Sequence, residues 1–600
     1  MQVVREHRED LVFRLKLLSR VVTGMLVLIA VGFWFVQLVQ GDYYRELAEN
    51  NRLRKLPIQA PRGLIYDRKG RLLVENVPSY NLMVDRSRTQ NLPRALEFAA
   101  GVLGRPLPEL QTLMEGYAAI PDFKPVLLAE NLTLSQVARI GVAGLEFPEF
   151  EVEVQHLRLY RHREQTAHVL GYLGEATEKE IEAAQGLYEP GDMVGKKGIE
   201  QTYDRILRGK DGEQAVVVDS RGRLLEEFGR TEAVPGRNLV LTIDLDLQQE
   251  AARWLTGPEK VGSIVAMDPR SGEVLAMVSS PSFNPNLFAR RLQKKDWQAL
   301  IEDPHHPLQN RAIQNTYSPG STFKIVMATA GLTEGLVNER TSTSCGGGAS
   351  FYGRYFRCWK KGGHGTLAAH GALKHSCDVY FYSLGQRLGI ERIAQYARLL
   401  GIGSLTGIDI EGEKKGLVPD TDWALNVRGM KWYPGETISV SIGQGPVLMT
   451  PVQMAEMTAI VANGGRKVVP HLIKGAEVPE AEHVALDENA LRIVRQGLWA
   501  VVNEPGGTAY WRARVPGAEM AGKTGTVQVI AQSARTEAKS LPFKFRDHAW
   551  FTSFAPAQNP EIVVVVFAEH GGSGSGTAAP IAQALHAKYF KIDLQHPANR

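Results

Sequence analysis

From Leu17 to Val39 the chain reads LLSRVVTGMLVLIAVGFWFVQLV, apolar at nearly every position. Beyond Arg20 this run suffices for a helix of about 20 residues, enough to cross a bilayer core. Arg14, Lys16 and Arg20 crowd its leading side, and Trp34, Tyr43 and Tyr44 suit the far interface. That charge bias sets residues 1–16 in the cytoplasm as a short tail and everything after about 40 outside. A cleaved signal peptide has a shorter apolar run followed by a small-residue cleavage site, so 17–39 is expected to be an uncleaved anchor.

The remaining pattern divides near Val234-Pro235-Gly236. Residues 40–235 mix short strand-like runs with charged helices. PRGLIYDRKGRLLVENVPSYNLMVD, from 61 to 85, reads as two alternating strands around a Lys69-Gly70 turn, with Arg62 and Asp67 available to pair by a charge-assisted bond. GKKGIEQTYDRILRGKDG, from 195 to 212, carries a helical pattern bounded by glycines. Residues 236–600 have a different texture. NLVLTIDLDLQQEAARWL predicts a strand and then an amphipathic helix, and IVAMDPRSGEVLAMVS a hairpin about Pro-Arg-Ser-Gly. HAWFTSFAPAQNPEIVVVVFAEH predicts a second hairpin bending at Asn559-Pro560. Strands from both ends of this half, with helical segments between, imply an α+β domain: an antiparallel sheet covered by helices.

Length and charge then narrow the classes. A chain of 600 residues exceeds one core, so two or three domains are expected. With 22% charged residues and a net charge of only +4, no polybasic nucleic-acid binder is indicated.

One residue breaks the apolar pattern. The run IVMATAGL from Ile325 reads as a buried helix, yet Lys324 lies in its first turn. A buried ammonium is costly unless it is paired or loses its proton. Pro319 and Gly320 form a turn before Ser321, which places that hydroxyl at the helix N-terminus with Lys324 at i+3 on the same face. Free N–H groups and the helix-end potential surround such a hydroxyl, and burial favours a neutral amine able to act as its base. A helix cap followed by a surface lysine is the plain alternative for an isolated Ser-x-x-Lys. Two further elements bear on the choice. HSCDVYFYSLG carries Ser376-Cys377-Asp378, and AEMAGKTGTVQVI carries Lys523-Thr524-Gly525-Thr526 on a strand. Gly525 lets an extended peptide approach and pair with the strand backbone, while Lys523, Thr524 and Thr526 offer groups for a terminal carboxylate. Ser376 is suited to relay a proton to a leaving amine, with Asp378 positioning it.

The three cysteines, Cys345, Cys358 and Cys377, fall within one stretch of the second half. One disulfide with a leftover thiol is one reading in an exported protein. A structural zinc held by Cys345, Cys358, His364 and Cys377 is the other, with His370 and His375 as competing ligands.

Ser-x-x-Lys, Ser-x-Asp and Lys-Thr-Gly in this order resemble the signature of the penicillin-recognising serine acyltransferases. With the single anchor and the two pedestal stretches quoted above, the whole chain is similar to the class B penicillin-binding proteins. Asp378, where most of that superfamily has asparagine, resembles the elongation branch more than the division branch. The resemblance implies a single-pass inner-membrane protein, its bulk periplasmic, that cross-links peptidoglycan stem peptides by D,D-transpeptidation and needs no cofactor for catalysis. Ser321 would be the nucleophile and Lys324 its base. Ser376, Asp378, Lys523 and Thr526 would complete the machinery, with the N–H groups of Ser321 and Thr526 as the oxyanion hole. β-Lactams would acylate the same serine. The pedestal implies a membrane partner, a glycan polymerase of the SEDS class resembling RodA. A division-specific transpeptidase, a polymerase-activating scaffold, a penicillin-sensing receptor and an anchored β-lactamase are the competing functions.

Overall fold

The structure is a computed structural model that describes residues 2–41, 53–89, 91–122, 124–218, 224–290, 292–529 and 541–594. Tyr43 and Tyr44, assigned above to the far interface, lie outside the described residues. The apolar N-terminal run is helical: Gln2–Trp34 is one helix, and Leu11–Val39 is long and apolar enough to cross a membrane, with none of it buried by protein.

Contacts group the chain into two compact units that do not follow it in order. The first comprises residues up to Pro61, Pro78–His156 and Gly209–Pro235. Strands Leu53–Ile58, Gly212–Val218 and Leu224–Thr231 form an antiparallel sheet in it. Helices Leu92–Leu103, Leu107–Gly116 and Leu134–Val142 enclose a separate core with Leu82, Val84, Leu96, Leu110, Leu128 and Ile140.

The second unit takes Arg62–Val77, Leu157–Arg208 and Gly236–Arg600. Contacts thus attach two stretches of the expected 40–235 segment to the C-terminal half. They reach that half through Arg68, paired with Glu273, through Lys69, paired with Asp244 and Asp246, and through Tyr203, whose hydroxyl donates to Asp409, while Arg62 joins the two stretches to each other. The Arg62 guanidinium is buried between Glu200 (2.7 Å) and Asp204 (2.8 Å), and Arg158 also binds Glu200 at 2.8 Å. The expected Arg62–Asp67 pair is therefore corrected. Asp67 instead accepts from the Lys69 and Arg71 N–H groups and from the Arg71 side chain, closing the Lys69-Gly70 turn on itself. The single helix expected over 195–212 is also corrected to two short ones, Gly198–Thr202 and Asp204–Arg208. They break at Tyr203, whose φ of −108° leaves the helical range.

The C-terminal part of this unit is built on five strands: β1 Gly262–Met267, β2 Val274–Ser280, β3 Ala521–Val527, β4 His548–Ala555 and β5 Ile562–Ala568. Their order is β2-β1-β5-β4-β3 and every pairing is antiparallel. Helices α1 Leu245–Trp254, α2 Lys324–Thr333, α3 Asp378–Leu399, α4 Pro451–Ala462, α5 Glu488–Asn503 and α6 Ala579–Phe590 surround the sheet. Both faces are covered, which explains why β5 is uniformly apolar instead of alternating. Ile562, Val564 and Val566 join α1 and α6 in one core, whereas Val563, Val565 and Phe567 join α2 and α4 in the other. The fold is α+β, with edge strand β3 lying beside the turn that leads into α2.

Candidate active site

Ser321 sits in a single 3₁₀ turn, Gly320–Phe323, that runs directly into α2. The turn is held close to β3. Gly320 adopts φ +55°, and a Cβ there would lie 2.9 Å from Thr526 O. A Cβ on Gly525 would meet Thr322 Cγ2 at 3.0 Å and Pro319 O at 3.1 Å. Each glycine is required by the other element, so serine turn and Lys-Thr-Gly strand approach backbone to backbone. The Gly320 N–H donates to Gly443 O at 2.9 Å and the Trp550 indole donates to Ser318 O at 3.0 Å, fixing the turn from two further sides.

Lys324 is fully buried, as its apolar helix requires, and its ammonium has three acceptors. Nζ donates to Asp378 Oδ1 at 2.6 Å, Ser376 O at 2.9 Å and Ser376 Oγ at 3.1 Å. Among the described residues Ser321 Oγ forms no hydrogen bond. Lys324 thus reaches Ser376 and Asp378, residues 52 and 54 positions further on, instead of the serine three before it.

Lys523 is buried too, with Nζ 2.9 Å from Ser376 Oγ and 3.1 Å from Thr524 O. Burial, reinforced by the neighbouring Lys324 charge and opposed by Asp378, holds its ammonium well below the ordinary lysine range. The neutral amine is therefore favoured at Lys523. Ser376 Oγ bridges the two lysines. Thr524 Oγ1 shares a hydrogen bond with Thr508 (2.8 Å), and Thr526 Oγ1 accepts weakly from the Gly574 N–H (3.4 Å).

Two features were missed from the sequence. Trp359 donates its backbone N–H to Asp378 Oδ2 at 2.9 Å. Gly443, within a Gly-rich stretch after Ser441, holds the nucleophile turn. Only the adjacency of Trp359 to Cys358 pointed toward it.

Beside this site, Cys345, Cys358, His364 and Cys377 bring their ligand atoms within 4.8 Å of one another. All three cysteines are free and buried, so no disulfide joins them. Nδ1 of His364 lies 3.7 Å from Cys345 Sγ and 3.5 Å from Cys358 Sγ. A hydrogen bond between Cys358 and Cys377 pushes the first thiol down, to about 5, and the second up. His370 and His375 are occupied elsewhere, by Glu504 and by Gly506 O, and drop out as ligands.

Comparison with known proteins agrees with this geometry. Residues 262–587 match the family model of the penicillin-binding protein transpeptidase domain, and residues 57–241 that of the penicillin-binding protein dimerisation domain. The peptidoglycan D,D-transpeptidase MrdA of Acinetobacter baumannii is 36% identical over 588 residues, covering 95% of this chain and 86% of its own. The penicillin-binding protein PBP2 of Helicobacter pylori, solved in complex with MreC, is similar with TM-score 0.80 at 28% identity, over 90% of this chain and 99% of that one. A chain of a peptidoglycan synthase complex that coordinates polymerization and crosslinking is similar with TM-score 0.74 at 33% identity, over 98% and 100%.

Proposed function

The chain belongs to the penicillin-binding protein transpeptidase family and is a β-lactam-sensitive peptidoglycan D,D-transpeptidase of the MrdA type; from that premise we propose that it works through an acyl-serine at Ser321. Ser321 Oγ attacks the carbonyl of the penultimate D-alanine of a donor stem peptide, the terminal D-alanine leaves, and an acceptor amine from a neighbouring stem resolves the ester. The N–H groups of Ser321 and Thr526 receive the oxyanion. The observation that carries the reading is the unbroken line from Lys324 Nζ through Ser376 Oγ to Lys523 Nζ, with steps of 3.1 and 2.9 Å. Lys324 uses all three ammonium donors at rest, so it accepts the Ser321 proton only after passing one along this line. Ser376 takes a proton from Lys324 as its own hydroxyl proton moves to Lys523, the freed Lys324 amine takes the Ser321 proton, and Ser376 then gives its hydroxyl proton to the departing amine as it takes one back from Lys523. Lys523, then charged, lies beside Thr524 and Thr526, where the donor carboxylate docks.

Labelling with a fluorescent penicillin tests this. Wild-type protein should take one label, Ser321→Ala none, and Lys324→Ala should label at least about 10²-fold more slowly, as for a lost general base. An adduct on Ser321→Ala would move the nucleophile elsewhere.

Residues 1–16 are read as a cytoplasmic tail, 17–39 as the anchor, 40–235 as a periplasmic pedestal and 236–600 as the transpeptidase domain. The function includes cell-wall elongation beside a SEDS glycosyltransferase resembling RodA. Likeness to a chain of a polymerising and crosslinking complex supports that partner.

A structural zinc at Cys345, Cys358, His364 and Cys377 completes the reading. Separations of 3.5 and 3.7 Å suit a tetrahedron with bonds of about 2.1–2.3 Å. Soft sulfur donors and one imidazole are the ligand set that zinc prefers. Its place is structural, bracing the strands and turn that carry Trp359, Ser376 and Asp378, and no chemical step runs through it.

A further inference from the structure

Ser376 holds its backbone at φ +52°, a left-handed conformation that costs a non-glycine residue on the order of 1 kcal/mol or more. Such a conformation persists only where its surroundings over-determine it. The Ser376 carbonyl accepts from Lys324 Nζ at 2.9 Å and from the Trp359 indole N–H at 3.1 Å. The same indole N–H also reaches His375 O at 3.1 Å, while the Trp359 backbone N–H secures the outer oxygen of Asp378 at 2.9 Å. Trp359 therefore clamps three consecutive features of the catalytic turn: the peptide before Ser376, the peptide after it, and the carboxylate that holds Lys324.

Packing does not explain a tryptophan here. Trp359 is 57% exposed, so little of its surface contributes to the core. Its polar N–H points inward, and beyond the His364 ring at 5.3 Å between centroids its own ring is largely open, the reverse of the usual burial of an indole. Phenylalanine would keep an aromatic ring here without the N–H, and a benzothiophene would keep the bicyclic shape as well.

We propose that Trp359 is a positioning residue for acylation: its indole N–H fixes the left-handed Ser376 peptide, and thereby the hydroxyl that bridges Lys324 and Lys523. Loss of that bond frees the His375–Ser376–Cys377 backbone to relax toward the ordinary helical region. Ser376 Oγ then leaves the line between the two lysines, while the strand that binds substrate, β3, is untouched. The inference rests on the acyl-serine reading of Ser321 given above.

Full-length protein in detergent, titrated with a fluorescent penicillin, separates the noncovalent constant Ks from the acylation rate k2. Trp359→Phe should lower k2 by roughly 10-fold or more, the range for lost hydrogen bonds and a displaced catalytic group, with Ks and Tm close to wild type. Replacing the indole by the isosteric benzothiophene of benzothienylalanine, which lacks only the N–H, should reproduce the loss. A wild-type k2 in either variant would overturn the inference, as would an equal rise in Ks with k2 preserved. Ser321→Ala run in parallel keeps the two readings apart, because a label on that variant strikes at the acyl-serine mechanism and not at Trp359.

Discussion

Glu456 is 1% exposed within α4, and neither of its carboxyl oxygens has a hydrogen-bond partner. Lys467 Nζ, 3.9 Å away, is its nearest counter-charge. Burial raises its pKa to about 8, against which Lys467 works only in part. The sign follows from linkage. Below the unfolded value near 4.5 both states are protonated, and the contribution to stability is complete. As pH rises from there through about 8, the unfolded chain gives up the proton that the folded chain keeps, so stability is lost. Glu456→Gln, which cannot ionise, should match wild type in Tm near pH 4 and exceed it near pH 8.5. Melting curves of the two proteins across that range check this, and parallel profiles would refute it. Lys324 shows the opposite arrangement, a buried charge with every donor used, and Lys523 shows a third, relief by loss of the proton.

Among the elements, those marked by apolar runs between turn signals are legible from the chain alone. Both hairpins of the large sheet and the helix after Ser321 were read from runs of apolar residues between turn signals, because burial on both sheet faces leaves such runs unbroken. What was not legible depended on partners far along the chain. Neither the break at Tyr203 nor the pairing of Arg62 with Glu200 follows from local pattern, since Glu200 lies 138 positions away. Likewise Ser321 and Lys324 were located correctly as neighbours on one turn, yet the lysine's contacts were not, because the turn at Ser376 supplies a stronger acceptor than the serine hydroxyl. The cysteine stretch is intermediate: Cys345, Cys358, His364 and Cys377 are named from sequence as a candidate set, but that their ligand atoms gather within 4.8 Å with the cysteines unbridged is visible only in the fold. If zinc braces the segment from Cys345 to Cys377, the purified protein should carry about one equivalent by elemental analysis. Chelation should then lower both Tm and k2, with zinc restoring both. Metal-free protein with unchanged Tm and k2 would remove zinc from the account.

At the scale of the whole molecule, the question is whether the stretch around Arg62 regulates a polymerase partner or only holds the fold. Arg62 is buried and bonded to two carboxylates, with Arg158 and Tyr160 completing the cluster around Glu200. Removing one partner from a buried ionic group leaves the others uncompensated, at a cost of about 3–5 kcal/mol. Arg62→Ala should therefore lower Tm by several degrees and reduce the fraction of protein competent to label with penicillin. Ser321→Ala removes only an Oγ that has no hydrogen bond among the described residues, so it should leave Tm unchanged. In a reconstituted complex with a SEDS polymerase, Ser321→Ala should support glycan polymerisation without cross-links, whereas Arg62→Ala should depress polymerisation and labelling together. Were Arg62→Ala to depress polymerisation while labelling and melting like wild type, the cluster would instead act as a communicating element, and its purely structural role would have to be abandoned.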